Sequence, residues 1–230
     1  MTARYALYFA PAERTDLWRL GCAWLGRDPV TGRGLAQPAV DGFSADRIRA
    51  LTASPRLYGL HATLKPPFQL RPGSTREELV DAAQALAARH AVFALPVLEV
   101  GMLTGFLALR NSLESDRLHA LADACAVELD RFRANAPEEE LARRQAAGLT
   151  RRQEELLSRF GYPYLLEQWR FHITLTEQLT GAEAERLGTW LAGYFSAAAQ
   201  PLRCEDICLF VQPVPGAEFQ ILQRFSLRKA

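Results

Sequence analysis

Two of the four histidines in the chain begin the same short motif, in which threonine follows two positions later and leucine comes next. His61 and Thr63 form the first copy, and His172 and Thr174 form the second. Side chains alternate along a strand, so each histidine would share a face with its threonine. If two such strands lie side by side, two imidazoles and two hydroxyls meet in one cleft. Such a group can move protons to and from the two oxygens of a phosphodiester.

The composition is that of a globular chain without a strong overall charge. Of its 230 residues 49% are hydrophobic, and 27 lysines and arginines stand against 26 acidic residues. The chain can therefore bury a large core, whereas its charge balance disfavours a long nucleic-acid partner. The sequence shows neither a signal-peptide core nor a membrane-spanning stretch, which predicts a cytoplasmic protein without a membrane partner. Its four cysteines form no disulfide scaffold, and Cys204 and Cys208 are expected to be buried thiols.

The same order of predicted elements follows each motif. After the first motif we predict a helix at 74–90 and strands at 93–100 and 106–110, with a turn between the strands. After the second motif we predict a helix at 180–195 and strands at 202–211 and 219–222, again joined by a turn. This parallel predicts an internal duplication of an α+β unit, with a first repeat over about 57–110 and a second over about 169–225. A charged helical insertion over about 114–160 separates the repeats.

Several local signals place the remaining elements. Capping boxes, in which Glu or Gln follows Ser or Thr by three residues, predict helix starts at Ser74, Thr150 and Thr180. Further elements are predicted as strand 4–10, helix 15–25, loop 26–43, helix 44–52 and a first motif strand 57–64 that ends in a loop at 65–73.

The paired His-x-Thr motifs on a duplicated α+β unit resemble the 2H phosphoesterase superfamily over nearly the whole chain. Segments 4–11, 161–164 and 171–176 are similar to a bacterial branch of uncharacterised proteins associated with phosphonate-utilisation operons. The resemblance implies a bilobal, pseudo-two-fold α+β domain over 1–230, with antiparallel sheets lining a central cleft. It also implies action on cyclic phosphates or related phosphodiesters, without a metal or other cofactor.

The resemblance assigns catalysis to the four motif residues. It implies that His61 and His172 are the acid and the base, in an order that the residues leave open, and that Thr63 and Thr174 bind phosphate oxygens. Imidazole suits either role because it titrates near neutral pH.

Four further side chains are candidates for substrate binding. Strand alternation would place Lys65 beside Thr63 and Arg170 beside His172, where either cation could offset phosphate charge. Tyr8 and Tyr164 could stack on a sugar or base. Three of them have an ordinary structural alternative, which is a loop position for Lys65 and a core position for the two tyrosines. The insertion is interpreted as a solvated face or as a lid that reaches a second phosphate through Arg143, Arg144, Arg151 or Arg152.

Three functions fit these residues. The first is hydrolysis of a small cyclic phosphate or phosphodiester, the second is processing of RNA ends that carry a 2′,3′-cyclic phosphate, and the third is binding of a phosphorylated metabolite without catalysis. The sequence lacks metal-ligand spacing, a Gly-x-Ser-x-Gly elbow and a Gly-rich phosphate loop, so neither a metal site nor nucleotide triphosphate chemistry is predicted.

Overall fold

A computed structural model describes residues 3–146, 148–198 and 201–229. Its strands are β1 (Arg4–Phe9), β2 (Ala62–Gln69), β3 (Phe93–Ala94), β4 (Leu98–Leu103), β5 (Phe106–Asn111), β6 (His172–Gln178), β7 (Arg203–Cys204), β8 (Asp206–Gln212) and β9 (Gln220–Ser226). Its α-helices are α1 (Asp16–Leu25), α2 (Ala45–Leu51), α3 (Ala53–Tyr58), α4 (Arg76–Arg89), α5 (Asp116–Glu128), α6 (Glu138–Gln145), α7 (Arg151–Phe160) and α8 (Gly181–Phe195). The predicted α+β class is confirmed. Residues 1–2, 147, 199–200 and 230 of the predicted ranges lie outside the described residues.

The two motif strands are neighbours at the centre of one antiparallel sheet. Its order in the described residues is β4-β5-β6-β2-β1-β8-β9, and β3 and β7 form a separate two-stranded ladder. Strands β2 and β6 meet in a short pairing of Ala62 with Ile173. This junction divides the sheet into a β4-β5-β6 half and a β2-β1-β8-β9 half, and each half carries one motif.

The hairpin that follows each motif in the chain joins the half that carries the other motif. Hairpin β4-β5 comes after β2 and α4 but pairs with β6. Hairpin β8-β9 comes after β6 and α8 but pairs with β1, beside β2. Helix α4 packs on β8 and β9, and α8 packs on β4 and β5. The two predicted repeats therefore have the expected order of elements, and their strands interlock across the sheet.

The first motif strand begins later and runs further than predicted. Residues 53–58 form helix α3, and β2 continues through Pro66 and Pro67 to Gln69. Prolines lack the N–H that a strand ladder needs, which favoured a loop here. The strand accommodates them because its pairing with β1 is irregular at this point.

The insertion is helical, as its sequence patterns predict. Helix α5 continues into a 3-10 turn at Leu129–Phe132, and α6 and α7 follow. The capping box that begins α7 is confirmed, since Thr150 accepts from the Gln153 backbone and the Gln153 side chain accepts from the Thr150 backbone. Helix α7 buries three side chains, whereas α6 buries none. Helix α6 therefore lies at the surface of the molecule.

The other two predicted capping boxes differ from the structure. The box that begins α4 lies one residue later than Ser74, at Thr75 and Glu78. At Thr180 the helix begins where predicted, but the threonine side chain makes no cap bond. The carboxylate of Glu183, its expected partner, instead accepts hydrogen bonds from Nε and Nη2 of Arg47, at 2.6 and 2.7 Å. A charged partner from another helix competes successfully with the local backbone donor.

The core contains all four cysteines. Cys22, Cys125, Cys204 and Cys208 are free and buried, which confirms the prediction for Cys204 and Cys208. Burial raises the pKa of the Cys125 thiol to about 12, so this sulfur stays protonated at neutral pH. In the described ranges, no helix is both long enough and apolar enough to cross a bilayer.

Candidate active site

The pairing of Ala62 with Ile173 brings the two motifs together. Both side chains are 0% exposed, so they point into the core. Their neighbours on each strand point to the opposite face, where the motif side chains are half-buried. In an antiparallel pair one strand runs forward as the other runs back, so each histidine stands across from the threonine of the other motif. The facing residues are His61 with Thr174 and Thr63 with His172.

Both imidazoles are oriented by the same local contact. Nδ1 of His61 donates to the carbonyl oxygen of Gly59 at 2.8 Å, and Nδ1 of His172 donates to that of Arg170, also at 2.8 Å. A carbonyl can only accept, so the proton of each neutral ring lies on Nδ1. Nε2 of each ring is then the atom that can take up or release a proton at the cleft.

His61 lies in an aromatic environment. Tyr8 stacks on its ring with 3.9 Å between centroids, and Tyr58 and Phe210 lie at 5.9 and 6.3 Å. The pKa of His61 is lowered to about 4, mainly by burial among these rings and in smaller part by the positive charge of His172. His61 is therefore a neutral imidazole at neutral pH.

His172 lies in a related but different environment. Phe106 packs beside it at 5.8 Å between ring centroids. Burial is the main cause that lowers the pKa of His172, and the positive charge of Arg110 on the adjacent strand adds to it. The two imidazoles also disfavour each other's charge, so a site with one proton shared between them is favoured over one with two.

Two buried indoles fix the backbone of the motif strands. Trp169 Nε1 donates to the carbonyl of Thr63 at 2.7 Å, and Trp24 Nε1 donates to the carbonyl of Leu175 at 2.8 Å. Trp169 lies three residues before His172, so this bond joins the approach to the second motif to the middle of the first. The relative position of the two motifs is thus held by more than the short strand pairing.

A cavity of about 320 Å³ opens beside His172 and Thr63. Its walls include the rings of Phe106, Tyr162 and Tyr164. A space of this size with aromatic walls suits a small organic ligand such as a sugar or nucleoside. Within the part of the chain that the structure describes, no three His, Cys, Asp or Glu side chains come together as a metal-binding group.

Two of the four additional candidates line this cavity. Tyr164 is 44% exposed and Arg170 is also exposed, so both side chains are accessible to a ligand. Arg170 is steadied by donating Nη1 to the carbonyls of Glu167 and Trp169. Tyr8 differs from the expectation, because it is only 1% exposed and packs against His61. It supports the imidazole rather than offering a stacking surface.

Lys65 does not lie beside Thr63. The pairing register shifts by one residue between them, so Thr63 pairs with Tyr8 whereas Lys65 pairs with Leu7. Adjacent residues of β1 face opposite sides of the sheet, and the shift therefore turns Lys65 to the far face. There its side chain is 2% exposed and its ammonium donates to Asp130 at 3.0 Å. Simple alternation was wrong here because the bulge near Pro66 interrupts it.

Several residues of the site are absent from the sequence-based prediction. Gly59 has a φ of +79°, and its carbonyl holds His61 in place. Trp169, Phe106 and Tyr162 shape the cavity. Gly59 and Trp169 have a signal in the sequence, since each lies within three residues of a motif histidine, and Tyr162 lies in segment 161–164. Phe106 comes to the site through the pairing of β5 with β6, which no local pattern indicates.

Fold and site together define an α+β protein in which two neighbouring strands present a pair of histidines and a pair of threonines on one face of the sheet. The chain belongs to the family described as "Protein of unknown function (DUF1045)", whose model matches residues 63–220.

Two curated relatives carry the name ribose 1,5-bisphosphate phosphokinase PhnN. The protein from Janthinobacterium sp. (strain Marseille) is 39% identical over 226 residues, and that from Laribacter hongkongensis (strain HLHK9) is 39% identical over 222 residues. The matches cover 96% and 95% of this chain but 50% of each relative. The chain therefore spans about half the length of the curated relatives it matches.

Solved structures with a similar course of the chain include a phosphoesterase and E. coli LigT complexed with 3′-AMP. The first is 15% identical with a TM-score of 0.44, and the second is 16% identical with a TM-score of 0.45. Each comparison covers 99% of this chain and 99% of the other.

Proposed function

We propose that this protein is a phosphoesterase that hydrolyses a small cyclic phosphate or related phosphodiester by acid–base catalysis between His61 and His172. The observation that carries the proposal is the crossed arrangement of the two motifs, with both Nδ1 atoms tied to the backbone and both Nε2 atoms left for proton transfer. A base, an acid and neutral donors to phosphate oxygen are then available within one cleft.

The environments of the two rings favour one order of roles. His61, with its pKa lowered to about 4, is neutral and is the base that takes a proton from the attacking water. The water oxygen bonds to phosphorus, the bond from phosphorus to the departing ring oxygen breaks, and protonated His172 supplies the proton to that oxygen. The product is a phosphate monoester with a free hydroxyl. The histidine pair carries one proton before and after the step, on His172 at first and then on His61, and proton exchange with water restores the starting state.

The threonines and Arg170 stabilise the charge on phosphate. Thr63 and Thr174 stand across from the histidines, where their hydroxyls can donate to the non-bridging oxygens as negative charge builds there. Arg170 lines the same cavity and adds a permanent positive charge. These groups suffice for the reaction, so the proposal requires neither a metal nor another cofactor.

A phosphorylated ribose is the first substrate class to consider. The curated relatives are named for a ribose bisphosphate, and about half of their length corresponds to this chain. The cavity beside His172 has room for a pentose, and its aromatic walls can pack on the apolar faces of the ring. A role in phosphonate metabolism would follow if such a ribose ester proves to be an intermediate there.

The proposal is tested by a hydrolysis screen of the EDTA-treated protein against 2′,3′-cyclic nucleotides and cyclic ribose phosphates. The protein carrying both His61→Ala and His172→Ala is the matched control. Release of a monoester by the wild-type protein alone is expected. Equal rates for the two proteins would overturn the two-histidine mechanism, and binding of cyclic phosphates without hydrolysis would indicate a non-catalytic binding module instead.

A further inference from the structure

A second, smaller cavity of about 90 Å³ lies where β1 and β2 approach the insertion. Its lining is strongly basic, with Arg4, Lys65, Arg133 and Arg144 against the single carboxylate of Glu140. A space that holds one water needs about 10–15 Å³, so a cavity of this volume has room for a phosphate group.

The basic residues of this cavity differ in whether a carboxylate neutralises their charge. Lys65 and Arg133 share one carboxylate, Asp130, at 3.0 and 2.8 Å. Arg144 binds Glu140 at 2.7 Å. Arg4 donates Nε to the neutral amide of Gln212 at 2.7 Å, and no ion pair of Arg4 occurs among the residues that the structure describes. The cavity therefore keeps an excess of positive charge.

Arg144 offers a donor that the protein itself does not use. Its Nε is buried and has no hydrogen-bond partner within the described ranges. Leaving a buried donor unpaired costs about 1–3 kcal/mol, so such a group is an exception that needs an explanation. An oxygen of a bound anion in the cavity would satisfy it and would add a charge-assisted bond.

This cavity adjoins the catalytic cleft. Tyr162 lines the cleft beside His172, and the Arg144 guanidinium lies over the same ring with its Cζ 5.0 Å from the centroid. On the other side, Cζ of Arg4 lies 5.5 Å from the ring of Phe219, which in turn stacks on Tyr58 beside His61. A single ring, that of Tyr162, thus lies between Arg144 and the cavity beside His172, and two rings lie between Arg4 and His61.

We propose that Arg144 and Arg4 bind a second phosphate group of the substrate, a monoester distinct from the phosphodiester that is hydrolysed. This inference rests on the proposed function and narrows its substrate to a small sugar ester that carries both groups. Of the insertion arginines, the structure favours Arg144 for this role. Arg144 lines the basic cavity, whereas the lining contains none of Arg143, Arg151 and Arg152. Arg143 is exposed, and Arg151 and Arg152 form ion pairs with Glu155.

A matched pair of substrates tests the inference by kinetics. The pair is adenosine 2′,3′-cyclic phosphate with and without a 5′-phosphate. The wild-type protein is expected to favour the 5′-phosphorylated compound in kcat/KM by about tenfold or more, the effect of one or two charge-assisted hydrogen bonds. Arg144→Gln is expected to bring the ratio of the two kcat/KM values close to 1. The control is Arg143→Gln, on the same helix, which is expected to keep the wild-type ratio. A wild-type ratio near 1, or a ratio that Arg144→Gln leaves intact, would overturn the inference.

A Glu140 variant provides a second test, in which phosphate binding is expected to become tighter and no catalysis is needed. In the protein with His61→Ala and His172→Ala, binding of inorganic phosphate is measured by calorimetry. Glu140→Gln removes the carboxylate that competes for Arg144 and should tighten phosphate binding about threefold or more, whereas Arg144→Gln should weaken it about tenfold. If Glu140→Gln leaves the Kd unchanged or raises it, the second phosphate site is wrong.

The two tests separate this inference from the function on which it rests. If phosphate binding in the double variant responds as expected but the wild-type protein hydrolyses no cyclic phosphate, the anion site is retained and the proposed reaction is overturned. If the wild-type protein hydrolyses both substrates with equal kcat/KM, the proposed reaction is retained and the anion site is overturned.

Discussion

Ala62 lies opposite Ile173 where the two motif strands meet, and this pairing determines the composition of the site. Because the strands are antiparallel, each histidine is completed by the threonine of the other motif. Neither motif alone therefore offers both an imidazole and the hydroxyl facing it across the sheet. A shift of either strand by one residue would turn the histidine and threonine of that strand into the core.

The pH dependence of the rate follows from the two histidine pKa values. The base must be neutral and the acid protonated in the free enzyme to give a high kcat/KM. His61, with a pKa of about 4, stays neutral down to about that pH. The pKa of His172 lies below its ordinary value of 6.5, so its protonated fraction decreases as the pH rises. We expect kcat/KM to be highest above about pH 4 and to be decreasing already at pH 6.5. A pH profile that rises from 6 to 8 would contradict these roles.

Protonation of His61 should also destabilise the fold in acid. The unfolded chain binds a proton on this ring at its ordinary pKa of 6.5, whereas the folded protein binds it only near pH 4. Stability contributed by neutral His61 is thus complete above pH 6.5 and is lost as the pH falls toward 4. Comparing urea unfolding at pH 7.5 and 4.5, we expect the wild-type protein to lose about 2–3 kcal/mol more than His61→Gln. Equal losses would show that His61 is not held neutral by its surroundings.

The order of acid and base can be tested with leaving groups. A p-nitrophenyl ester has a leaving group that departs without protonation, so it bypasses the acid but not the base. On such a diester His172→Ala should retain at least about tenfold more of its wild-type rate than it does on a cyclic ribose phosphate. His61→Ala should lose a similar fraction of rate on both. The reverse pattern would exchange the two roles.

Gly59 is expected to be required for the position of His61. Its φ of +79° disfavours any other residue, and a Cβ there would lie 2.7 Å from Cβ of Pro29. Gly59→Ala should therefore move the carbonyl that orients His61 and lower kcat by about tenfold or more. Gly42 is a matched control because it also has a φ of +79° but has no atom within 4 Å of an added Cβ. If Gly59→Ala and Gly42→Ala have equal effects on kcat, the carbonyl does not position the catalytic ring.

The sequence predicts the two motifs and the order of elements after them, because alternation and helix caps are local properties. The role of Lys65 could not be predicted, since the bulge that turns it away depends on pairing with a distant strand. The exchange of hairpins between the halves of the sheet is likewise a property of long-range pairing. The contact of Arg144 with Tyr162 joins a surface helix to a loop, and no periodicity in either segment indicates it.

The central claim is that both motif histidines take part directly in one reaction. The most direct measurement is kcat of His61→Ala and of His172→Ala, each alone, on the cyclic phosphate that the wild-type protein hydrolyses best. His90→Ala removes an imidazole at the end of α4 and serves as the control. The two motif variants are expected to lose about 10²–10⁴ in kcat while keeping a cooperative unfolding transition, and the control is expected to match the wild-type protein. Near-normal turnover in either folded motif variant would contradict the two-histidine mechanism.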